Sequence, residues 1–452
     1  MSRYISRYQL TAGQAAKRFS DIEQLAIPLN LTGRHLLPEF ELLCGGLKKI
    51  FLCSTQDKEI LLQFLALGEA HAAIHYPSTL AHVKGINAKL PWGDTTCPAT
   101  MLTGLAGTGK SELLKALNRL LGNESFLDLP GHDRVPLVPG WFMNVKEGSS
   151  PNSLLLPWIE QKKVVSKCNK VDSTEEYQRK DLNLPRLAEL SRRVAFRDGV
   201  CIISIDEFQF ISKSTSANSL ATNLLLRLLA IGPRLIFGAN YSLAHRLDAR
   251  GQEDRQRLLA RRIYLKPENL CSPDGIRLLK EYFKILPMDF TLDAIAVAQQ
   301  VQDYTFGIKR LVVDLLAISW VHAKKSGGVK ANVTTDDLRC AFLSRDFCAN
   351  RVDVEILQRQ EIEKRQIRRD LWDPFFSEQQ DNVFEVVPAI SAFEKRVEER
   401  RLDSFLTPNE RLGFDAIKKL VGATPKEANV VPMNPLKRSK QGLADALRLL
   451  ND

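Results

Sequence analysis

No stretch of this chain approaches the roughly 18 uninterrupted apolar residues of a membrane-spanning helix. The N-terminus, Met1-Ser2-Arg3-Tyr4, lacks an apolar signal core. A cytoplasmic protein without membrane contact is expected. Paired cysteines are missing too: Cys44, Cys53, Cys97, Cys168, Cys201, Cys271, Cys340 and Cys348 are scattered without CxxC spacing, which excludes the common zinc ribbons and reads as reduced thiols. His71, His75 and His82 lie near one another, yet no cysteine or acid completes a ligand spacing, so they predict no metal site. Acidic residues fall short of basic ones, 53 against 63, for a formal charge of +10. Such a surplus suits a polyanionic partner without demanding one. At 452 residues the chain has room for two or three domains.

The densest local signal is Gly104-Leu105-Ala106-Gly107-Thr108-Gly109-Lys110-Ser111. Its glycines can bend backbone amides around a polyphosphate while Lys110 and Ser111 reach the phosphates and a magnesium ion. The apolar run Ala99 to Leu102 feeds this stretch as a strand, and Glu112 to Leu121 leaves it as a helix that Gly122 can stop. Phosphates would therefore face a helix N-terminus. Motif and context agree on a P-loop that takes ATP with Mg2+.

Hydrolysis also needs a carboxylate for the metal and a group that polarises water. Val200-Cys201-Ile202-Ile203-Ser204-Ile205-Asp206-Glu207 offers both. Its β-branched run reads as a central strand buried on both faces, with Asp206 at the carboxyl end where a parallel sheet gathers its ligand. Asp206 would join Ser111 in holding magnesium, directly or through water, and Glu207 would orient or deprotonate the attacking water. A third strand, Arg234 to Asn240, ends in an amide able to sense the γ-phosphate, although a turn asparagine needs no such role. Arg255, Arg257, Arg261 and Arg262 crowd a segment that is helical by pattern and precedes Ile263-Tyr264-Leu265. Arg261 or Arg262 could reach the γ-phosphate of a neighbouring subunit as a finger; a solvated basic face is the alternative.

Together with Gly307-Ile308-Lys309-Arg310 in a helical region, these elements resemble the AAA+ ATPase family, and the resemblance makes Arg310 the second-sensor arginine of a helical lid. Within that family the chain looks most like the transposition regulators of the TnsC, TniB and MuB type. His75-Tyr76-Pro77 is similar to the His-Pro element of TniB-like proteins, with Tyr76 inserted. Phe142-Met143-Asn144-Val145, followed by Ser149 to Ser153, resembles their second strand and the helix start after it, and Tyr304-Thr305-Phe306-Gly307 resembles their lid signature. The resemblance covers about residues 70–349. It implies an ATPase, slow in turnover, that assembles as a ring or helical filament of identical copies on double-stranded DNA irrespective of sequence. Its implied protein partners are transposase subunits and a target-selector protein, and hydrolysis would disassemble the complex.

Periodicity and composition divide the chain into four parts. Residues 1–90 form an N-terminal helical extension, in which Asp57 to Ile74 shows an apolar face (Ile60, Leu61, Phe64, Leu65, Leu67) for a partner or for the chain's own core. Residues 91–268 alternate strands and helices, the pattern of a doubly wound parallel sheet and hence an α/β fold, here the AAA+ P-loop NTPase subdomain. Residues 269–349 are helical throughout and read as the lid. Residues 350–452 read as a tail, a solvated helix over Glu355 to Arg369 followed by a proline-broken, partly disordered segment.

Two stretches bear on partners. Lys162, Lys163, Lys167, Lys170, Arg179, Lys180, Arg192 and Arg193 fall where the resemblance implies contact with DNA backbone, though interleaved acids also fit a solvated loop. Leu443, Leu447 and Leu450 share a helical face after Lys437-Arg438-Lys440 and could dock on a transposase or on the chain's own body. Two other functions stay open. One is an origin-recognition-like replication initiator or loader, against which stands the lack of a winged-helix pattern after the lid. The other is an ATP-gated signalling or defence switch with no DNA role.

Overall fold

The computed structural model describes residues 3–10, 12–86, 97–122, 125–129, 132–145, 154–157, 184–206 and 215–376. Helices α1 (Arg3–Ser6), α2 (Ala12–Asp21), α3 (Leu36–Lys49), α4 (Thr55–His75) and α5 (Thr79–Ile86) come first. Strands and helices then alternate: β1 (Thr100–Gly104), α6 (Lys110–Leu121), a hairpin of β2 (Ser125–Leu129) and β3 (His132–Leu137), β4 (Gly140–Asn144), α7 (Leu184–Arg197), β5 (Ile202–Asp206), α8 (Thr215–Leu229), β6 (Arg234–Asn240), α9 (Tyr241–Asp248), α10 (Gln252–Leu258) and β7 (Arg261–Tyr264). Five more helices follow, α11 (Pro273–Phe283), α12 (Ala294–Thr305), α13 (Lys309–Gly327), α14 (Thr335–Leu343) and α15 (Cys348–Glu363), and a single 3-10 turn at Arg369–Leu371.

The main sheet runs β4-β5-β6-β1-β7 with every neighbouring pair parallel, the expected α/β architecture. Strands β1 and β5 are buried along their whole length, because a parallel sheet covered on both faces admits uninterrupted apolar strands. Parallel pairing also brings Gly104, Asp206 and Asn240 to the same carboxyl-terminal edge. One expectation fails here. Arg261 and Arg262 are not helical: α10 ends at Leu258 and both arginines open β7, paired to Thr100 and Met101 of β1. Ladder bonds to β1 outweigh the local helical pattern, since an unpaired β1 edge would leave its backbone groups orphaned.

Three of the lid helices open on side-chain caps. Ser272 caps α11 ahead of Pro273, Asp293 caps α12, and Thr334 with Asp337 forms a capping box on α14. Trp320 is fully buried among them and donates its indole N–H to Asp289 at 2.7 Å. The N-terminal helices are shared out. Tyr4, Tyr8, Phe19, Ile22, Ile60, Leu61, Phe64 and Leu65 enter the core of the sheet, whereas Leu43, Cys44 and Leu47 of α3 enter the core of the lid. Tyr76, read as an insertion in a His-Pro element, is buried against Tyr4 and donates to the Phe196 carbonyl at 3.0 Å. The packed body also runs beyond residue 349. Helix α15, read as solvated, buries Val354, Leu357 and Gln360, because its apolar positions face the lid. Among the described residues no helix is long and apolar enough to cross a membrane, and the described cysteines are free thiols.

Helix α4 lies close to the sheet through Gly68, where a Cβ would come within 2.7 Å of the Tyr8 ring and 2.8 Å of Ile202 Cδ1. Gly68→Val should therefore lower the unfolding free energy by about 1–3 kcal/mol by overpacking, measurable as a reduced midpoint in denaturant. An unchanged midpoint would mean that α4 can shift without cost.

Candidate functional site

Gly104 closes β1 at φ 153°, with the Leu265 carbonyl oxygen only 2.3 Å from where a Cβ would stand. Gly107 and Gly109 also take positive φ, 85° and 109°, conformations that side-chain-bearing residues rarely adopt. The loop between them wraps back on itself, Thr108 Oγ1 donating to the Leu105 carbonyl at 3.0 Å. Helix α6 then starts at Lys110, so its first amides point into the turn. Lys110 Nζ donates to the carbonyls of Gly104 and Leu105 at 2.9 and 2.6 Å. Burial, and secondarily the Arg310 charge, pushes its pKa down to about 7 against the opposing pull of Asp206. A buried ammonium bonded to neutral carbonyls is suited to an anion.

Ser111, in the first turn of α6, donates from Oγ to Asp206 Oδ1 at 3.0 Å. Two hard oxygens at that separation fit one small divalent cation, so Mg2+ is compatible with the residues present. The pair forms across β6, the strand between β1 and β5. Gly238 lies beside the pair, where a Cβ would stand in ordinary contact, 3.5 Å from Asp206 Oδ1 and 3.4 Å from Leu114 Cδ1. Asn240, level with Gly104 in the sheet, accepts from the Leu243 amide through Oδ1 at 3.0 Å and so caps α9. That cap orients its Nδ2 as the side chain's remaining polar group. Glu207 lies outside the described residues, as do Lys162 to Lys180.

The lid meets the loop at the start of α13. Phe306 and Gly307 both adopt positive φ, 54° and 68°, and turn the chain sharply from α12 into α13. Glu268 N donates to the Gly307 carbonyl at 3.0 Å, fastening this turn to the segment that leaves β7. Arg310 N then donates to the Gly107 carbonyl at 3.1 Å, and its Cβ stands 2.9 Å from where a Gly107 Cβ would be. Arg310 is thus at the P-loop. Arg261 and Arg262 are exposed on the edge strand, away from this cleft in sequence register, and Arg262 stacks over the Phe375 ring at 4.3 Å.

Sequence reasoning missed Lys309. Its stem passes 3.4 Å from the position of a Gly109 Cβ, and its Nζ lies 3.4 Å from Asp57 Oδ2 and 3.6 Å from Glu268 Oε2. Burial works against its charge, but the two carboxylates prevail and raise its pKa above the usual lysine value. Asp57 also completes the capping box of α4 with Ser54, and Thr55 N donates to Asp274 of the lid at 2.7 Å. The N-terminal extension, the P-loop and the lid therefore meet at one buried cation. A lysine beside a candidate sensor arginine was visible in sequence; its partners 252 residues and 41 residues away were not.

Residues 94–247 match the family described as an AAA domain. Among solved structures it is similar to the Walker-type ATPase of Pyrococcus abyssi, at 14% identity over 70% of this chain and 88% of that one, with a TM-score of 0.36. It is likewise similar to the ORC1 protein of Aeropyrum pernix in complex with DNA, at 17% identity over 77% and 84% of the two chains and a TM-score of 0.37. The RuvB Holliday junction branch migration motor of Thermotoga maritima is a third, at 14% identity over 64% and 76% and a TM-score of 0.30. No curated protein matches the chain.

The depressed Lys110 pKa gives a signed prediction. Without an anion Lys110 is largely neutral at pH 8 and charged at pH 6, and a polyphosphate restores the charge at both. Binding of ATP at pH 8 should be accompanied by uptake of about one proton from solvent onto Lys110, against about 0.1 at pH 6. Calorimetry in buffers of different ionisation enthalpy measures the number; no uptake at pH 8 would show Lys110 already charged before binding.

Proposed function

We propose that this chain is an AAA+ ATPase that assembles on double-stranded DNA when ATP is bound and, in that state, recruits or activates a transposase. The observation that carries the nucleotide part is the convergence of Lys110, Ser111, Asp206 and Arg310 on one cleft at the carboxyl edge of the sheet. In this reading Lys110 leaves the loop carbonyls to neutralise the phosphates, and the amides of Gly107, Thr108 and Gly109 cradle them. Ser111 and Asp206 would hold Mg2+, which would supply positive charge against that of the bound phosphates. Glu207, next in the chain after Asp206, orients or deprotonates the attacking water, and Asn240 holds that water through Nδ2. Arg261 or Arg262 of an adjacent copy stabilises the charge that develops on the γ-phosphate.

Arg310 gives the mechanism its switch. Its amide bonds the P-loop backbone from the lid, and its guanidinium charge acts on Lys110 at the same site, so an added γ-phosphate draws on a charge carried by the lid. A two-state lid whose setting depends on nucleotide can control the contact between copies. Turnover is slow when the finger must come from a neighbour, and hydrolysis releases the assembly. The DNA and transposase parts are supported by the resemblance of His75-Tyr76-Pro77, Phe142 to Val145 and Tyr304 to Gly307 to the transposition regulators, and by the formal charge of +10. Phosphate contacts by lysine and arginine make such binding indifferent to sequence and weaker in salt.

Lys110→Ala should abolish ATP-dependent assembly on duplex DNA, seen as loss of filaments or rings by electron microscopy. Glu207→Gln should leave ATP binding and assembly intact while slowing hydrolysis by about 10²- to 10⁴-fold, with longer-lived DNA complexes. Assembly by the lysine variant would overturn the nucleotide mechanism. Preference for one origin-like sequence would favour a replication initiator, and no duplex binding at low salt a switch without a DNA role.

A further inference from the structure

The chain returns to the sheet after the lid. Gln360 is buried at the end of α15 and accepts from the amides of Ile367 and Arg368 at 3.0 and 2.8 Å, while its Nε2 donates to the Leu371 carbonyl at 3.1 Å. Arg368 is held by Asp353 at 2.6 Å and by both oxygens of Asp370 at 2.7 and 2.8 Å. These bonds lead into residues 372–376, which meet α9 through His245 and β7 through Arg262. His245 of α9 hydrogen-bonds the Trp372 carbonyl at 3.0 Å, and Phe376 meets the Trp372 ring edge-on at 4.9 Å. Phe375 packs against the core of the sheet and lies under the Arg262 guanidinium at 4.3 Å.

We propose that residues 369–376 form an autoinhibitory strap that holds the finger arginine Arg262 against Phe375 until a second copy of the chain docks on the β7 edge. This rests on the reading of the finger as supplied between copies. An arginine can stabilise phosphate charge only with its guanidinium turned outward to the neighbour, and here the ring face of Phe375 binds that cation instead. The Asp373 carboxyl stands beside the same group: burial holds its pKa above the usual carboxylate value, only partly opposed by the Phe375 amide it accepts from and by the charges of Arg262 and His245. Strap and finger therefore compete with the neighbouring active site for one side chain. The contact is a single exposed cation over a ring, weak enough for an incoming anion to replace.

The test measures ATP turnover per subunit as protein concentration rises, with the full-length chain. Phe375→Ala should raise turnover at low concentration by about two- to fivefold, the factor expected for losing one exposed cation–π contact. Phe375→Leu, which keeps apolar packing but removes the ring, should act in the same direction, so a folding defect in the alanine variant does not decide the matter. Adding Arg262→Ala should cancel either gain. Wild-type turnover in both Phe375 variants, with Arg262→Ala alone impaired, would overturn the strap while keeping the finger; a gain that persists without Arg262 would do the same. Turnover per subunit of the wild type that stays flat across concentration would instead overturn the between-copies reading on which the strap rests.

Discussion

The P-loop lies against two hydrophobic cores at once. Met101 and Leu102, just before it, belong to the core of the sheet, whereas Leu105, inside it, is buried in the core of the lid together with Ile308. A loop wedged in this way has little freedom, and its glycines take up what the packing leaves: Gly104 under the Leu265 carbonyl, Gly107 beside Arg310, Gly109 beside Lys309. The rest of the cleft follows from that wedge. Lys110 is desolvated because the loop is enclosed, and among the described residues its hydrogen bonds go to the carbonyls of Gly104 and Leu105, with Asp206 acting on it only through its charge.

Charge is handled differently a few ångströms away. Lys309 is as enclosed as Lys110, yet two carboxylates face it, one from α4 and one from the segment that leaves β7. A buried cation with partners fastens elements together, since removing either partner would leave an uncompensated charge. Successive pieces of the fold thus use one residue type in opposite ways. Lys110 stays available for a ligand, and Lys309 ties the N-terminal extension to the lid. Arg310, next to it, is fixed at the P-loop by the bond of its amide to the Gly107 carbonyl.

The N-terminal extension is accordingly part of the machine. Its helix α4 presses on β5, the strand that ends in Asp206, through the contact of Gly68 with Ile202, while its capping box touches Lys309. Helix α3 packs on the lid helix α13. An apolar helix face in that region was readable from Ile60, Leu61, Phe64 and Leu65, but periodicity names a buried face without naming its partner. The same limit explains Arg261 and Arg262. Their local pattern is helical, and only pairing with β1, about 160 positions earlier in the chain, makes them a strand.

What the sequence determined by itself were the features whose physics is local: glycines at the positive-φ positions of the P-loop, the buried strand ending in Asp206, the caps on Ser272 and Thr334, and the helices they start. Each depends on residues a few positions apart. Tertiary structure alone decided which side chains meet. Ser111 reaches Asp206 across β6, Lys309 finds Asp57 and Glu268, and Phe375 comes back to cover Arg262. Those meetings join parts of the chain distant in order, and distance through space is set by how the cores pack, which no local pattern encodes.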